Sequence, residues 1–309
     1  MPTARPVFSV VVPTLYRPAH LARCLAALQR QDYPKTGYEV IVVDDGAWED
    51  TAEQVRRIDL PEGPAFRYLA QRRGGPAKAR NAGARAASGT YLAFTDDDCE
   101  PSEGWLRSLE RPLRDNARAL IGGLTSNALA DVACSRASQL LIDYLYDYYQ
   151  AEKTGSRFFT TNNLACSAAV FRDMGGFDET FPLAAGEDRE FCERFQRKGG
   201  AMVFADDAVV MHWHDLNLRR FARQHFNYGR GADFLHRSRW RATQPSGLTA
   251  PRWRPKLERP AFYVNLILYP IRRERGLKGL HLASLVSLSQ AAYASGYLYQ
   301  RIRRPPSAG

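Results

Sequence analysis

The chain has 309 residues, of which 45% are hydrophobic and 25% are charged, and five scattered cysteines with no Cys-x-x-Cys pair. These fractions are typical of a globular protein, and the length allows one large α/β domain with an appendage or two modest domains. The cysteine pattern argues against both a disulfide framework and a zinc site, and it suits a reducing cytosol. The N-terminal residues also lack the charged-then-apolar pattern of a signal peptide.

The net charge of +10 is distributed unevenly along the chain. From Leu216 to the end there are 18 Lys and Arg against 3 Asp and Glu, which gives +15, so residues 1–215, with 25 against 30, carry −5. A mildly acidic body therefore precedes a strongly basic tail. Such a tail predicts contact with nucleic acid or with an anionic membrane surface.

Strand patterns alternate with helix patterns over the first third of the chain. Apolar and β-branched runs predict buried strands at 7–13, 39–46, 66–69 and 90–94. Helical patterns lie between these runs, beginning at Pro18 and covering 51–58 and 77–87. This alternation predicts a mostly parallel central sheet with right-handed crossovers, flanked by helices.

Two of these predicted strands end in acidic residues. Asp44 and Asp45 end one strand, and Asp96, Asp97 and Asp98 follow another. The carboxyl ends of parallel strands meet at one edge of the sheet, where such folds bind ligands. Burying three consecutive carboxylates without a cation is costly, so the pattern favours a divalent cation bound with substrate phosphates. A solvated acidic turn is the alternative for the second cluster taken alone.

The usual phosphate-binding loops are missing from the sequence. No Gly-x-Gly-x-x-Gly follows the first strand, and there is no Gly-Lys-Ser/Thr loop. Phosphates would therefore be neutralised by a metal and by basic side chains. Lys78 and Arg80, near the start of a predicted helix, are the better candidates, whereas Arg72 and Arg73 are expected to be surface charges.

The second half contributes further candidates. A strand is predicted at 119–124, a tyrosine-rich helix at 131–152, a helix at 191–198 and a strand at 202–205. Glu187 and Asp188 precede the helix at 191–198, where they either stabilise the helix N-terminus or provide a general base. His212 and His214 would point to one side of a strand, and one of them is a candidate metal ligand.

Taken together, these residues resemble the family 2 inverting glycosyltransferases, which have the GT-A nucleotide-sugar fold. The resemblance covers about 7–231 and rests on an ordered series of motifs. These are Val-Val-Pro-Thr at 11–14, Val-Val-Asp-Asp-Gly at 42–46, Ala-Arg-Asn-Ala-Gly at 79–83, Phe-Thr-Asp-Asp-Asp at 94–98, Gly-Gly-Phe-Asp at 175–178, Gly-Glu-Asp at 186–188, and His212. Thr95 and Cys99 depart from the apolar residue and the further acid often seen around these aspartates.

The resemblance implies a role for each matching position. Asp98 would hold Mn²⁺ or Mg²⁺ on the diphosphate, with Asp96 and His212 as further metal ligands. Asp188 would be the catalytic base, with Glu187 as the second choice. Contacts with the nucleotide are implied for Pro13, Thr14, Asp44, Asp45, Lys78, Arg80, Asp96 and Asp97. Positions near the acceptor or the donor sugar are implied for Asn162, Asn163 and Asp178.

The tail is treated as a second region, 232–309, after a catalytic domain at 1–231. An amphipathic helix begins near Leu218, the segment 237–260 is expected to be irregular, and apolar runs follow at 261–270 and 280–299. The first run is too short to cross a bilayer, and the second is long enough but rather polar. Arginine clusters beside apolar helices favour an anionic membrane surface, and a helical hairpin packed on the catalytic domain is the alternative. Nucleic acid is not expected, because the recognised binding motifs are missing.

The sequence therefore predicts a metal-dependent inverting glycosyltransferase at the cytoplasmic face of the cell membrane. Its donor would be a nucleotide-diphosphate sugar, with a UDP-sugar favoured by family habit, and its acceptor a lipid-linked or cell-envelope glycan. A sugar nucleotidyltransferase is an alternative, although its Gly-rich, Lys/Arg-bearing signature is missing after the first strand. A non-catalytic scaffold with the same fold, docked on membranes, is the other alternative.

Overall fold

A computed structural model describes residues 5–59, 62–151, 158–181, 183, 185–243 and 258–303. Within these ranges the chain forms eight strands and ten α-helices. The strands are β1 Phe8–Thr14, β2 Tyr38–Asp44, β3 Ala65–Ala70, β4 Tyr91–Phe94, β5 Cys99–Pro101, β6 Leu120–Asn127, β7 Leu164–Ser167 and β8 Met202–His212. The helices are α1 Pro18–Gln29, α2 Glu49–Ile58, α3 Pro76–Ala86, α4 Trp105–Asp115, α5 Ala133–Ala151, α6 Ala168–Asp173, α7 Glu187–Arg197, α8 Leu218–Thr243, α9 Pro260–Arg273 and α10 Gly276–Ile302.

All eight strands belong to one sheet, in the order β3-β2-β1-β4-β7-β6-β8-β5. Strands β1 to β4 are mutually parallel, and β1 lies between β2 and β4. Strand β7 is antiparallel to both β4 and β6, β8 is parallel to β6, and β5 is antiparallel to β8. The predicted α/β class is confirmed, with a parallel half that continues into a mixed half.

The parallel half forms where the sequence is most apolar. Every residue of β2 is buried, and β1 is buried except at Pro13, because helices cover both faces of such a sheet. Helix α3 approaches β1 closely at Gly83, where an added Cβ would lie 2.4 Å from Cγ1 of Val11. The parallel register places Thr14 opposite Asp44, so β1 and β2 end at the same level. The acidic end of β2 therefore lies beside the turn that follows β1.

The chain forms two compact units, each with its own core. The first comprises 1–128, 157–182 and 191–213, and contains the sheet. The second comprises 129–156, 183–190 and 214–309. In the second unit α5, α8, α9 and α10 share a hydrophobic core that includes Leu140, Phe221, Leu266 and Val286. Tyr144 of the tyrosine-rich helix α5 belongs to this core, and its hydroxyl donates to the backbone carbonyl of Phe262 at 2.8 Å.

The segment predicted to be irregular is partly helical, and this prediction was wrong for 237–243. Helix α8 continues unbroken from Leu218 to Thr243 and passes the proposed boundary after Gly231. Arg237 forms an ion pair with Asp233 one turn earlier, at 3.3 Å, and its guanidinium lies over the ring of Phe234. Such i,i+4 pairs support a helix where composition alone indicates a loop. Residues 244–257 of this segment lie outside the described residues.

Helices α9 and α10 bury one face in the core of the second unit and expose apolar side chains on another. On α9 the exposed set has helical spacing, with Val264 at 56%, Ile267 at 36%, Leu268 at 37% and Ile271 at 38% exposure. On α10 the exposed apolar side chains include Leu277, Leu280, Leu288, Leu298 and Ile302. Among the helices of the described ranges, none combines the length and apolar character needed to cross a bilayer.

Candidate active site

The acidic turn Thr95 to Asp98 connects β4 to the short strand β5 at the carboxyl end of the parallel strands. Asp97 and Asp98 are only 3% and 8% exposed. Strand β5 pairs with the end of β8 in a register that places Cys99 opposite His212. The backbone N–H of Trp213 also donates to the carbonyl of Asp98 at 2.8 Å. This pairing brings His212 to the acidic turn, with Nε2 3.4 Å from Oδ1 of Asp98.

Arg17 is the main cation at this turn, and the sequence reasoning missed it. One terminal nitrogen of its guanidinium donates to Oδ1 of Asp97 at 2.8 Å, and the other to Oδ2 of Asp98 at 2.9 Å. Arg17 follows Tyr16, which has a φ of 48°, and precedes the first residue of α1. A signal was available, because an arginine directly after the first buried strand lies at the same sheet edge as the aspartates.

The two buried aspartates differ in their electrostatic surroundings. Burial, with a smaller effect of Asp98, raises the pKa of Asp97 to about 7, although the charge of Arg17 and the Thr14 hydrogen bond oppose this rise. Burial also acts to raise the pKa of Asp98, but His212 and Arg17 outweigh it and hold that pKa well below its usual range. Burial lowers the pKa of His212, yet its hydrogen bond and charge interaction with Asp98 leave that pKa raised. Asp98 is therefore held in its ionised form, while Arg17 and Thr14 favour the ionised form of Asp97 against the effect of burial.

Asp96 has a separate partner on α3. Arg80 is nearly buried, with a side chain 3% exposed, and donates to Oδ1 of Asp96 at 2.6 Å. The next residue, Asn81, exchanges two hydrogen bonds of 2.9 Å with the backbone of Phe177. Gly176, at a φ of +72°, leaves room for this contact, because a Cβ there would lie 2.6 Å from Oδ1 of Asn81. The motifs at 79–83 and 175–178 are thus hydrogen-bonded to each other, and this contact positions Arg80.

The carboxylates that end β2 organise the neighbouring turns. Asp44 accepts hydrogen bonds from the backbone of Gly46 and Trp48 and from the hydroxyl of Tyr68. Its carboxylate thereby shapes the turn that leads into α2. Each bond uses an oxygen lone pair, and a carboxylate offers about four of them.

Asp45 acts in the same way on the following loop. It accepts from the side chain of Gln71 at 2.6 Å and from the backbone N–H groups of Gly74 and Gly75 at 2.7 and 2.8 Å. This ties the start of α3 to the end of β2. Lys78 on α3 is exposed.

The end of β1 adds a hydroxyl and an aromatic ring. Pro13 and Thr14 end the strand, and the hydroxyl of Thr14 donates to Oδ2 of Asp97 at 2.7 Å. The rings of Tyr16 and Trp48 then pack against each other, tilted by 38° with centroids 4.5 Å apart, at 52% and 46% exposure. The sequence reasoning did not single out this pair. An exposed aromatic pair at the acidic edge of the sheet offers ring faces on which a nucleobase can stack.

Three side chains of the described residues have donor atoms within 4.8 Å of one another, namely Asp98, Cys99 and His212. Burial raises the pKa of the Cys99 thiol well above its usual value, so this sulfur stays protonated. The remaining donors are a carboxylate oxygen, which suits Mn²⁺ or Mg²⁺, and an imidazole nitrogen, which is a softer ligand. Such ions are commonly held by one or two carboxylates together with substrate phosphates, so these residues fit the metal that the resemblance implies.

Glu187 and Asp188 lie in the second unit, in the first turn of α7. Glu187 is 3% exposed, and its Oε2 accepts from the backbone N–H of Ala185 at 2.8 Å. Asp188 is half-buried, and its Oδ1 accepts from the N–H of Arg189 at 2.7 Å. The side chain of Arg189 donates to the hydroxyl of Tyr149 and lies over its ring. Asp188 therefore has the more accessible carboxylate of the two.

The remaining candidates have local roles in the fold. Asn163 accepts from the indole N–H of Trp105 and donates to the carbonyls of Leu124 and Ala208, so its amide ties elements of the first unit together. Asn162 accepts hydrogen bonds from two threonine hydroxyls. Asp178 accepts from the N–H of Thr180 in an exposed turn.

The two histidines do not share a strand face, contrary to the prediction. Strand β8 ends at His212, and His214 lies beyond it in the second unit. There its Nε2 makes a 2.6 Å hydrogen bond with the side-chain oxygen of Gln224. Only His212 of this pair lies at the acidic turn.

Sequence comparison places these features in a known family. Residues 9–175 match the profile described as Glycosyl transferase family 2, and residues 93–296 match Glycosyl transferase family group 2. The glycosyltransferase AglE of Haloferax volcanii is 29% identical over 213 residues, which cover 69% of this chain and 68% of that protein. The pre-mycofactocin glycosyltransferase of Mycobacterium tuberculosis is 29% identical over 72% of this chain and 46% of its own length. The chain thus spans about two thirds of the first relative and about half of the second.

Structural comparison supports the fold. The mannosyltransferase PcManGT of Pyrobaculum calidifontis superposes with a TM-score of 0.62 at 19% identity, over 97% of this chain and 87% of that one. GalNAc-T7 superposes with a TM-score of 0.55 at 18% identity, over 79% of this chain and 52% of that one. At these identities the likeness concerns the fold alone. With the sheet order, the acidic turn and the matched profiles, it follows that this chain belongs to glycosyl transferase family 2 and is a glycosyltransferase with a GT-A-like fold.

Proposed function

We propose that the protein is a metal-dependent inverting glycosyltransferase that uses a nucleotide-diphosphate sugar. Its acceptor would be a hydroxyl of a lipid-linked or cell-envelope glycan. The observation that carries this proposal is the buried pair Asp97 and Asp98, which lies with His212 at the carboxyl edge of the parallel strands. Support also comes from structures of similar fold, because PcManGT was solved with GDP-Man and Mn²⁺ and GalNAc-T7 with UDP, GalNAc and Mn²⁺. A UDP-sugar is the donor we favour.

The nucleoside end of the donor is assigned to the ends of β1 and β2. The exposed rings of Tyr16 and Trp48 provide a stacking surface for the base, and such a stack is worth about 1–3 kcal/mol. Asp44 and Asp45 lie beside it and would contact the base and ribose, with Pro13 and the Thr14 backbone close by. Both carboxylates are hydrogen-bonded to neighbouring turns, and these bonds would keep the carboxylates in place before the donor binds.

The diphosphate is assigned to the acidic turn and to the cations of α3. Asp98 and His212 would hold the metal, with Asp96 as a further ligand, while Asp97, Lys78 and Arg80 would lie near the phosphates. When bound, Mn²⁺ or Mg²⁺ would neutralise negative charge on the leaving diphosphate, an effect worth several kcal/mol in such reactions. The protein's own contribution is to hold oxygen and nitrogen donors rigidly at one place.

The acceptor end is assigned to Asp188, with Glu187 as the second choice. Direct displacement at the anomeric carbon needs a carboxylate that removes the proton from the attacking hydroxyl. The half-buried carboxylate of Asp188 suits this task better than that of Glu187, which is buried against a backbone N–H. We place all catalytic residues in the region 1–231, and Asn162, Asn163 and Asp178 remain lower-ranked positions near the sugars.

The basic tail is proposed to hold the enzyme at the inner, cytoplasmic face of the cell membrane. Residues 258–303 contain seven Lys and Arg against two Glu, so this helical pair carries +5. The exposed apolar row of α9 ends beside Arg272, Arg273 and Arg275. An apolar row with adjacent cations has the composition of a helix that lies in an anionic lipid surface. All five cysteines are free thiols, which agrees with a reducing compartment.

The donor site is tested by Asp98→Asn, which removes one charge and keeps the shape. We expect titration calorimetry to show Mn²⁺-dependent binding of UDP or GDP to the unchanged protein, weakened about 100-fold or more in the variant. Glu39→Gln is the control, because Glu39 is an equally buried carboxylate paired with Arg67 at the opposite end of β2. If the folded protein bound no nucleotide under any metal condition, a non-catalytic scaffold would become the better interpretation.

The mechanism is tested by Asp188→Asn together with Glu187→Gln. Loss of the general base should lower kcat roughly 100- to 10,000-fold in Asp188→Asn, while nucleotide affinity stays unchanged. The Glu187→Gln variant should keep most of its turnover once corrected for folded protein. NMR of the product should show inversion at the anomeric carbon. Retention of configuration, or a kcat loss confined to Glu187→Gln, would contradict this assignment.

Membrane binding is tested by sedimentation with vesicles. We expect the protein to sediment with vesicles that contain anionic lipid and much less with vesicles of neutral lipid, because cations and apolar side chains act together. Ile267→Glu combined with Leu268→Glu should weaken this binding by about tenfold or more. Leu124→Glu on β6 is the control, since that side chain has a similar exposure of 38%. If both variants sedimented equally with the vesicles, α9 would not be part of the membrane-binding surface.

A further inference from the structure

The acidic turn holds an arginine at the place where the proposed function puts a metal. The guanidinium of Arg17 bridges two carboxylates that are nearly buried, although its own side chain is 41% exposed. Each of these is a charge-assisted N–H···O bond, the stronger class of hydrogen bond in proteins. The protein therefore carries its own counter-cation for Asp97 and Asp98.

This bridge occupies one of the two oxygens of Asp98, the carboxylate proposed to hold the metal. Oδ2 of Asp98 accepts from Arg17 at 2.9 Å, while Oδ1 of the same carboxylate faces His212 at 3.4 Å. Asp97 is likewise engaged on both oxygens, by Arg17 and by the hydroxyl of Thr14. A divalent cation that approached Asp98 would share it with a positive guanidinium and be repelled by it. Metal binding and the Arg17 bridge therefore oppose each other.

We propose that Arg17 is a resident counter-cation that makes metal binding depend on the nucleotide diphosphate. The inference rests on the proposed function and adds a role for a residue that it left out. A bare metal ion at Asp98 is repelled by the guanidinium, or displaces it, without compensation. A metal that arrives with a diphosphate brings negative oxygens that can receive the released guanidinium, since arginine pairs well with phosphate.

The consequence is a coupling between two ligands of one site. If Arg17 disfavours metal binding only while the diphosphate is missing, the nucleotide must raise the metal affinity, and the metal must raise the nucleotide affinity by the same factor. Arg17 then acts as a positioning residue with a measurable signature in binding. A merely structural ion pair would lower stability when removed but would leave this coupling unchanged.

The chain contains a matched ion pair for comparison. Arg67 is 42% exposed and donates to Glu39, which is 6% exposed, whereas Arg17 is 41% exposed and its partners are 5% and 10% exposed. Glu39 lies at the amino end of β2, and Arg67 lies on the neighbouring strand β3, so this pair is away from the acidic turn. Arg67→Met therefore removes an equivalent guanidinium from a buried carboxylate without touching the proposed site.

The experiment measures the Mn²⁺ dissociation constant by electron paramagnetic resonance of free Mn²⁺, without nucleotide and with saturating UDP or GDP. In the unchanged protein the nucleotide should tighten Mn²⁺ binding strongly. In Arg17→Met, Mn²⁺ alone should bind about tenfold or more tightly than in the unchanged protein, and the effect of the nucleotide should shrink accordingly. Arg67→Met should leave both constants unchanged. Thermal unfolding with and without Mn²⁺ gives a second readout, in which metal alone stabilises Arg17→Met more than the unchanged protein.

Arg17→Lys covers the case in which Arg17→Met does not fold. It retains the charge but replaces the planar two-nitrogen fork with a single ammonium group, so its coupling should be intermediate. The proposal is overturned if the nucleotide changes Mn²⁺ affinity by the same factor in the Arg17 variants as in the unchanged protein. If no folded form, including the unchanged protein, binds Mn²⁺ with either nucleotide, the proposed function fails and this inference fails with it.

Discussion

The structure depends on balancing three consecutive carboxylates at the end of a buried strand. Burying charge without a partner costs several kcal/mol per ion, so the fold has to bring positive groups to this turn. Asp96 pairs with Arg80, Asp97 with Arg17, and Asp98 with both Arg17 and His212. These cations come from α3, from the turn after β1 and from the end of β8. Segments distant in sequence therefore meet at the acidic turn, where their positive groups offset its negative charge.

The motifs that mark the family are largely explained by this requirement. Asn81 and Gly176 connect α3 to the Gly-Gly-Phe-Asp turn, and Gly83 lets α3 approach β1 closely enough for Arg80 to reach the acidic turn. The carboxylates of Asp44 and Asp45 hold the two turns that border the same edge. Many of the motif residues therefore serve to position other groups, and a smaller set of side chains is left for the proposed contact with the donor.

The parts of the fold and of the site that could be predicted are those set by local patterns in the sequence. The strands around Val10 and Val42 are apolar over several residues, and parallel pairing then places their ends together, so the acidic edge was predictable. The contact between Arg17 and Asp97 joins residues 80 positions apart through side-chain geometry, which no periodicity reveals. Strand β5 has three residues, too few for a recognisable pattern, yet its pairing with β8 brings His212 to the site. Helix α8 extends beyond the prediction because the burial of Leu235 and the local pair Asp233–Arg237 support it where the composition indicates a loop.

The central claim is that the acidic turn binds a divalent metal together with a nucleotide diphosphate. The most direct measurement is crystallography of the protein with Mn²⁺ and UDP or GDP, with anomalous data collected at the manganese edge. The account predicts one strong anomalous peak within coordination distance of Asp98 and His212, in contact with the diphosphate. A nucleotide bound elsewhere, or a diphosphate at this turn without an anomalous peak, would contradict it.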